Sequence, residues 1–150
     1  MDGAIKKSTG RIKYSASMEG NTTEGKIYEI FLNDTRIGLT KLENADISLG
    51  LLFGEVYWIK IPSPYDFIKD YCVQNLLDFK DNAEDEIIST GHIPLLRIVD
   101  KEGLVIEGEE HSLFGSDADV FEISIEGVSM ELLKSEFPHH IEEHLSQENE

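Results

Sequence analysis

Apolar and polar side chains alternate along short stretches of the chain, beginning at Lys26. Between residues 26 and 42, two runs of β-favouring residues flank Asn33-Asp34, whose side chains support the tight backbone bend of a turn. This pattern predicts a β-hairpin over residues 26–42. A third strand is predicted over residues 51–61, with Gly54 as the site of a β-bulge.

The pattern changes to a helical period after residue 62. Ser63 can cap a helix and Pro64 suits its first position, and apolar residues then recur at three- and four-residue spacing as far as Phe79. An amphipathic helix of about residues 63–79 is therefore predicted to pack on the sheet. Cys72 falls on its apolar stripe and is interpreted as a core thiol, and residues 80–86 are predicted to form an acidic loop.

Short strands return in the second half of the chain. Residues 95–100 and 104–107 flank Lys101-Glu102-Gly103 and predict another hairpin, and the alternation over residues 119–127 predicts a half-buried strand. Ser129 begins a short helix through Glu136. Pro138 interrupts that helix, and residues 139–146 add another turn or two.

These elements together predict an α+β fold. Its antiparallel β-sheet is built from hairpins, and it carries one main amphipathic helix and a short C-terminal helix. The 150 residues fit one domain, placed at residues 25–146. Residues 1–24 form a polar N-terminal segment in which residues 11–15 are a candidate edge strand, and residues 147–150 a loose tail.

Charge is distributed very unevenly along this chain, whose formal net charge is −17. Residues 1–60 hold eight acidic and eight basic side chains, whereas residues 61–150 hold 22 acidic and five basic ones. A negative field of this kind repels nucleic-acid phosphates and anionic lipid surfaces and attracts basic proteins. The alternative is that the acidity only keeps the protein in solution.

Bulk features also bear on location. A single cysteine excludes an intramolecular disulfide, which fits a reducing compartment. The first residues lack the apolar core of a secretion signal, and no stretch is long and apolar enough to cross a bilayer. A cytoplasmic location is the prediction.

Catalytic signatures are absent from the sequence, which contains no nucleophile elbow, phosphate-binding glycine loop or Cys-x-x-Cys pair. His140 and His144 have the four-residue spacing of some zinc sites, with Glu143 between them. Zinc would need further ligands from Glu136 or His139, and a solvated helix end accounts for the same spacing. No catalytic residue, metal ligand or cofactor is therefore predicted.

Three segments of the sequence carry a resemblance. They are Leu42-Glu43-Asn44-Ala45-Asp46-Ile47-Ser48-Leu49-Gly50 continuing to Gly54-Glu55-Val56, then Pro64-Tyr65, and finally Phe137-Pro138-His139-His140. Over about residues 26–145 the chain resembles a family of small uncharacterised bacterial proteins, although Leu49 stands where Met is expected. The resemblance implies no activity. It makes the histidine pair part of a structural C-terminal signature.

Some small acidic bacterial proteins are immunity proteins, which neutralise basic toxin domains. By that analogy the prediction is a non-enzymatic immunity protein whose acidic surface binds a basic, nuclease-type toxin domain, without contacting nucleic acid or membrane. The predicted contacts are acids of the loops: Asp81, Glu84, Asp85, Glu86, Glu107, Glu109 and Glu110. Two alternatives stay open, a metal-dependent hydrolase using His140 and His144, and a housekeeping domain whose acidity serves solubility. The oligomeric state is also open.

Overall fold

The structure is a computed structural model that describes residues 24–148. Its strands are β1 (Tyr28–Leu32), β2 (Thr35–Thr40), β3 (Asn44–Asp46), β4 (Leu51–Glu55), β5 (Tyr57–Trp58), β6 (Phe79–Asn82), β7 (Ile87–Thr90), β8 (Leu96–Val99), β9 (Glu110–Ser116) and β10 (Phe121–Glu126). Its helices are α1 (Pro64–Gln74), α2 (Met130–Glu136) and α3 (Pro138–Glu148), and a 3-10 turn spans Ile47–Leu49. The candidate strand at residues 11–15 lies outside the described residues.

The strands form two antiparallel sheets, which confirms the α+β class and divides the predicted sheet in two. The four-stranded sheet has the order β5-β2-β1-β8, and the six-stranded sheet has the order β3-β4-β10-β9-β7-β6. The prediction of a single strand over residues 51–61 was wrong. The chain leaves the six-stranded sheet after β4 and enters the four-stranded sheet as β5. Buried Val56 lies at this crossing point.

Gly54 does not form the predicted bulge, since β4 and β10 pair in continuous register through Gly54 and Ile123. Its role is to allow a close approach. A side-chain carbon at this position would lie 2.7 Å from Thr40 Oγ1 and 2.8 Å from the backbone nitrogen of Leu42. Glycine is therefore required by the loop that crosses over β4.

One hydrophobic core lies between the inward faces of the two sheets and α1. Its side chains include Ile30, Ile98, Ile68, Cys72, Ile88, Leu113 and Ile123, all buried. Trp58 of the four-stranded sheet meets Phe121 of the six-stranded sheet edge to face, with ring centroids 5.4 Å apart. Cys72 is fully buried, and burial raises the pKa of its thiol, so it is the core thiol that the sequence predicted.

Helix α1 begins as predicted but ends earlier. The Ser63 hydroxyl accepts from the backbone nitrogen of Asp66 at 3.2 Å and Pro64 holds the first position. The predicted extension to residue 79 was wrong. Leu76 adopts a positive φ of 57° and is 92% exposed, so it turns the chain away from the helix axis.

The residues predicted as an acidic loop are partly a strand. Phe79–Asn82 forms β6, which pairs with β7 through a tight turn at residues 83–86. The sequence concealed this hairpin because three of the four residues of β6 are polar and exposed. The chain also contains β9, a strand that the sequence did not predict.

The other elements of the second half follow the sequence closely. The predicted strand at residues 119–127 is β10, and Ser129 caps α2 by accepting from the backbone nitrogen of Leu132. The second predicted hairpin is reduced to β8 and one isolated bridge at Val105. Helix α3 runs to Glu148, so part of the predicted tail is helical. Among residues 24–148, no helix is long and apolar enough to cross a membrane.

Candidate protein-binding face

The outward face of the six-stranded sheet displays acidic, aromatic and small polar side chains. Strand alternation produces this face, because the inward positions of β10 are isoleucine and phenylalanine while the outward ones are polar. The open face is defined here by its half-buried or exposed residues on four strands: Leu51, Phe53, Glu55, Ile87, Ser89, Glu110, Ser112, Phe114, Ser116, Glu122, Ser124 and Glu126.

Two pairs of glutamates lie directly opposite each other on this face. Glu122 of β10 pairs with Glu55 of β4, and Glu126 of β10 pairs with Glu110 of β9. Like charges in register destabilise a sheet, by an amount on the order of 0.2–1 kcal/mol per pair. Within residues 24–148 none of these four glutamates forms a salt bridge. The open face thus carries an electrostatic cost that a bound cationic group would relieve.

A further carboxylate supports the corner of this face. Strand β3 begins at Asn44, which pairs with Phe53, so β3 does not reach the backbone of Glu55 on its neighbour β4. The Glu43 carboxylate accepts from the backbone nitrogen of Glu55 at 3.0 Å and replaces the missing strand contact. Glu43 therefore fixes the backbone from which Glu55 projects.

Aromatic surface lies among the acids. Phe114 is 55% exposed and stands directly opposite Glu122 in the strand register. Phe53 is half-buried on the same face and stands opposite Ser124. Exposed aromatic rings surrounded by polar side chains are typical of protein-binding surfaces.

The acids that the sequence singled out do not form one patch. Glu84, Asp85 and Glu86 occupy the turn between β6 and β7, beside the end of β9. Glu110 begins that seven-residue strand, and Glu107 and Glu109 precede it in the chain. Because a strand rises about 3.3 Å per residue, the two groups are about 20 Å apart. Only Glu110 belongs to the open face.

Asp81 is committed to a contact within the chain. Its side chain turns inward toward α1, where it accepts from the Tyr65 hydroxyl and lies 2.9 Å from Lys69 Nζ. The hydrogen bond from Tyr65, followed by that from Lys69, lowers the pKa of Asp81. Its contribution to a binding surface is therefore reduced.

Two other acids, Asp100 and Glu136, form contacts that stabilise the fold. Lys26 Nζ lies 3.1 Å from Asp100 Oδ2 and 2.6 Å from Glu136 Oε2, and the Tyr28 hydroxyl donates to the same Glu136 oxygen at 2.6 Å. Burial acts to lower the pKa of Lys26, but its hydrogen bonds to Glu136 and then Asp100 raise it overall. These contacts tie the start of the four-stranded sheet to α2.

One histidine of α3, His140, contributes to the fold. His140 is 4% exposed, its Nε2 lies 2.9 Å from the Leu42 carbonyl oxygen, and its ring stacks on Phe137 at 5.7 Å. Among residues 24–148, no three histidine, cysteine or acidic side chains are placed to hold a metal ion. His140 is thus packed into the core, where it contacts Leu42 and Phe137.

None of the known family models, curated proteins or solved structures matches this chain. The resemblance over residues 26–145 stays a prediction. The structure nevertheless joins two of its segments, because Phe137-Pro138-His139-His140 packs against Leu42 at the start of the first.

Sequence reasoning missed most of the open face. The alternation of Glu122, Ser124 and Glu126 is legible in the sequence and marks one polar strand surface. Its alignment with Glu55, more than sixty positions earlier, depends on the pairing of β4 with β10. Phe114 lies on β9, the strand that the sequence did not predict.

Proposed function

We propose that this protein binds a basic protein partner through the open face of the six-stranded sheet. The carrying observation is the row of Glu55, Glu122 and Phe114, which places two like charges and an exposed ring in direct register. A basic partner would neutralise the opposed carboxylates and cover the ring at the same time. Electrostatic attraction and apolar burial would therefore act at one place.

The partner class we propose is a basic, nuclease-type bacterial toxin domain, with this chain as its immunity protein in the cytoplasm. The strongly negative charge after residue 60 supports this role, since it would speed association with a cationic domain. The location of the predicted site moves from the loop acids to the sheet, whose backbone holds the side chains in fixed positions. The turn at residues 83–86 then contributes to the long-range field rather than to the contact.

The experiment is capture of proteins from a lysate of the native organism at low and high salt, using the full chain as bait. The face variant Glu55→Gln/Glu122→Gln/Glu126→Gln is compared with the turn variant Glu84→Gln/Asp85→Asn/Glu86→Gln, which removes the same number of negative charges. We expect wild type and the turn variant to retain one basic protein that the face variant loses. Retention should weaken with salt, because screening shortens the reach of the field.

A purified form of that captured protein then tests the immunity role. Co-expression with this chain should restore growth of cells that the captured protein kills, and the face variant should not restore it. Equal retention by the face and turn variants would place the contact elsewhere. Recovery of no basic protein by wild type would favour the view that the acidity serves only solubility.

A further inference from the structure

On the outer surface of the four-stranded sheet, an aromatic ring is covered by an arginine side chain. Phe31 on β1 lies in register between Arg36 of β2 and Arg97 of β8. The guanidinium carbon of Arg97 is 5.3 Å from the centre of the Phe31 ring. Arg36 Nη1 lies 2.7 Å from Glu29 Oε2 on the same face. Arg97 therefore covers the Phe31 ring, and Arg36 binds the carboxylate of Glu29.

The open face carries the same two kinds of group, carboxylates and an aromatic ring, but neither arginine of residues 24–148 lies on its strands. Glu122 stands between Glu55 on one side and Phe114 on the other. Of the three arginines in the sequence, the two within residues 24–148 are Arg36 and Arg97, both used on the other sheet. The base in the same row is Lys80 on the edge strand β6, two strands from Phe114.

We infer that the partner inserts an arginine side chain over Phe114, with its guanidinium bound by Glu122 and Glu55. This inference rests on the proposed function and names the chemistry of the contact. Directly opposed side chains in a sheet have Cβ atoms about 4.5–5.5 Å apart. That spacing lets one planar group lie on the ring and donate to the neighbouring carboxylate.

Arginine fits this row better than lysine. The guanidinium is planar, stacks on aromatic faces, and donates to carboxylates through a rigid fork, whereas the lysine ammonium is a strongly hydrated point charge. Both cations can lie over an exposed ring, arginine more often than lysine, but only the planar guanidinium can also donate to a neighbouring carboxylate through its fork. The second carboxylate supplies acceptors for the remaining guanidinium protons.

The test uses two synthetic peptides that alternate serine with either arginine or lysine, at equal length and charge. Each is titrated into the isotopically labelled full chain at low salt, and backbone amide shifts report both affinity and position. We expect the arginine peptide to bind severalfold more tightly than the lysine peptide. The largest shifts should fall on Phe114, Glu122 and Glu55.

Phe114→Ala should reduce arginine-peptide affinity to that of the lysine peptide, while Tyr57→Ala should leave it unchanged. Tyr57 is the matched control, because it is an aromatic residue 47% exposed on the other sheet. Equal affinity for both peptides on the open face would overturn the arginine inference and leave the proposed function standing. Shifts confined to residues 83–86, or no binding by either peptide, would also overturn it. The capture experiment with the lysate tests the proposed function independently of the peptide titration.

Discussion

His140 Nε2 lies 2.9 Å from the carbonyl oxygen of Leu42, across 98 positions of sequence. Leu42 is fully buried and has a positive φ of 46°, a conformation that is strained for a residue with a Cβ atom. The Thr40 hydroxyl oxygen accepts a hydrogen bond from the backbone nitrogen of Leu42 at 3.2 Å. Polar contacts from both sides therefore hold this residue in place, next to the loop that carries Glu43.

Replacing His140 by Phe should destabilise the protein by about 1–3 kcal/mol, because the Leu42 carbonyl would be buried without its partner. The phenyl ring keeps the stacking on Phe137, so the loss reports mainly the hydrogen bond. Urea unfolding measures the change. Leu145→Phe, which places a phenyl ring at an exposed position on the same helix, serves as the control. An unchanged unfolding midpoint in His140→Phe would contradict the role assigned to this hydrogen bond.

Replacing Lys26 by Met should also destabilise the protein, because Asp100 and Glu136 would lose their shared cation. The Asp100 side chain is 4% exposed and that of Glu136 is 11% exposed, whereas that of Lys26 is 32% exposed. Partial solvation of the lysine reduces the cost of breaking a buried pair to about 2 kcal/mol. Exposed Lys101→Met is the control in the same unfolding experiment, and equal effects of the two changes would contradict this account.

Acidification should destabilise the protein in the range where histidine titrates. Burial, followed by the nearby His140, lowers the pKa of His139 below 6.5, while Glu24, Glu143 and Glu136 act against the shift. Within the described chain, His139 Nδ1 is buried without a hydrogen-bond partner. Burial lowers the pKa of His111 as well. The unfolded chain therefore binds more protons as the pH falls from 6.5 to the lower folded values, and stability is lost across that window.

Thermal melting at about pH 7.5 and about pH 5.5 measures this loss, above the range in which carboxylates titrate. His139→Phe should reduce the difference in melting temperature between the two conditions, since the ring is kept and the titrating group is removed. His144→Phe removes an imidazole from the same helix and provides the comparison. A pH dependence identical in His139→Phe and wild type would remove His139 as its source.

Glu122→Gln should stabilise the free protein and weaken its binding. The change removes the repulsion between Glu122 and Glu55 and is expected to raise the free energy of unfolding by about 0.5 kcal/mol. The same change removes a carboxylate from the proposed contact, so affinity for the arginine peptide should fall. Glu84→Gln in the turn at residues 83–86 is the control for net charge. Opposite signs for stability and binding are expected for Glu122 and not for Glu84.

The sequence by itself determined the local elements whose cause is local. Ser63 and Ser129 cap helices because their hydroxyls accept from backbone nitrogens three residues later, and alternation set the two faces of β1 and β10. Those relations depend on neighbours along the chain. They sufficed for the α+β class and for the polar surface of β10.

The tertiary structure decided how those surfaces combine. The chain passes between the two sheets repeatedly, once at Val56, and the structural role of His140 depends on Leu42. The register of β10 between β4 and β9 aligns Glu122 with Glu55 and Phe114. Strand pairing is set by burial of the inward side chains, which come from segments far apart in the sequence. The face that this pairing creates therefore cannot be predicted from any one segment.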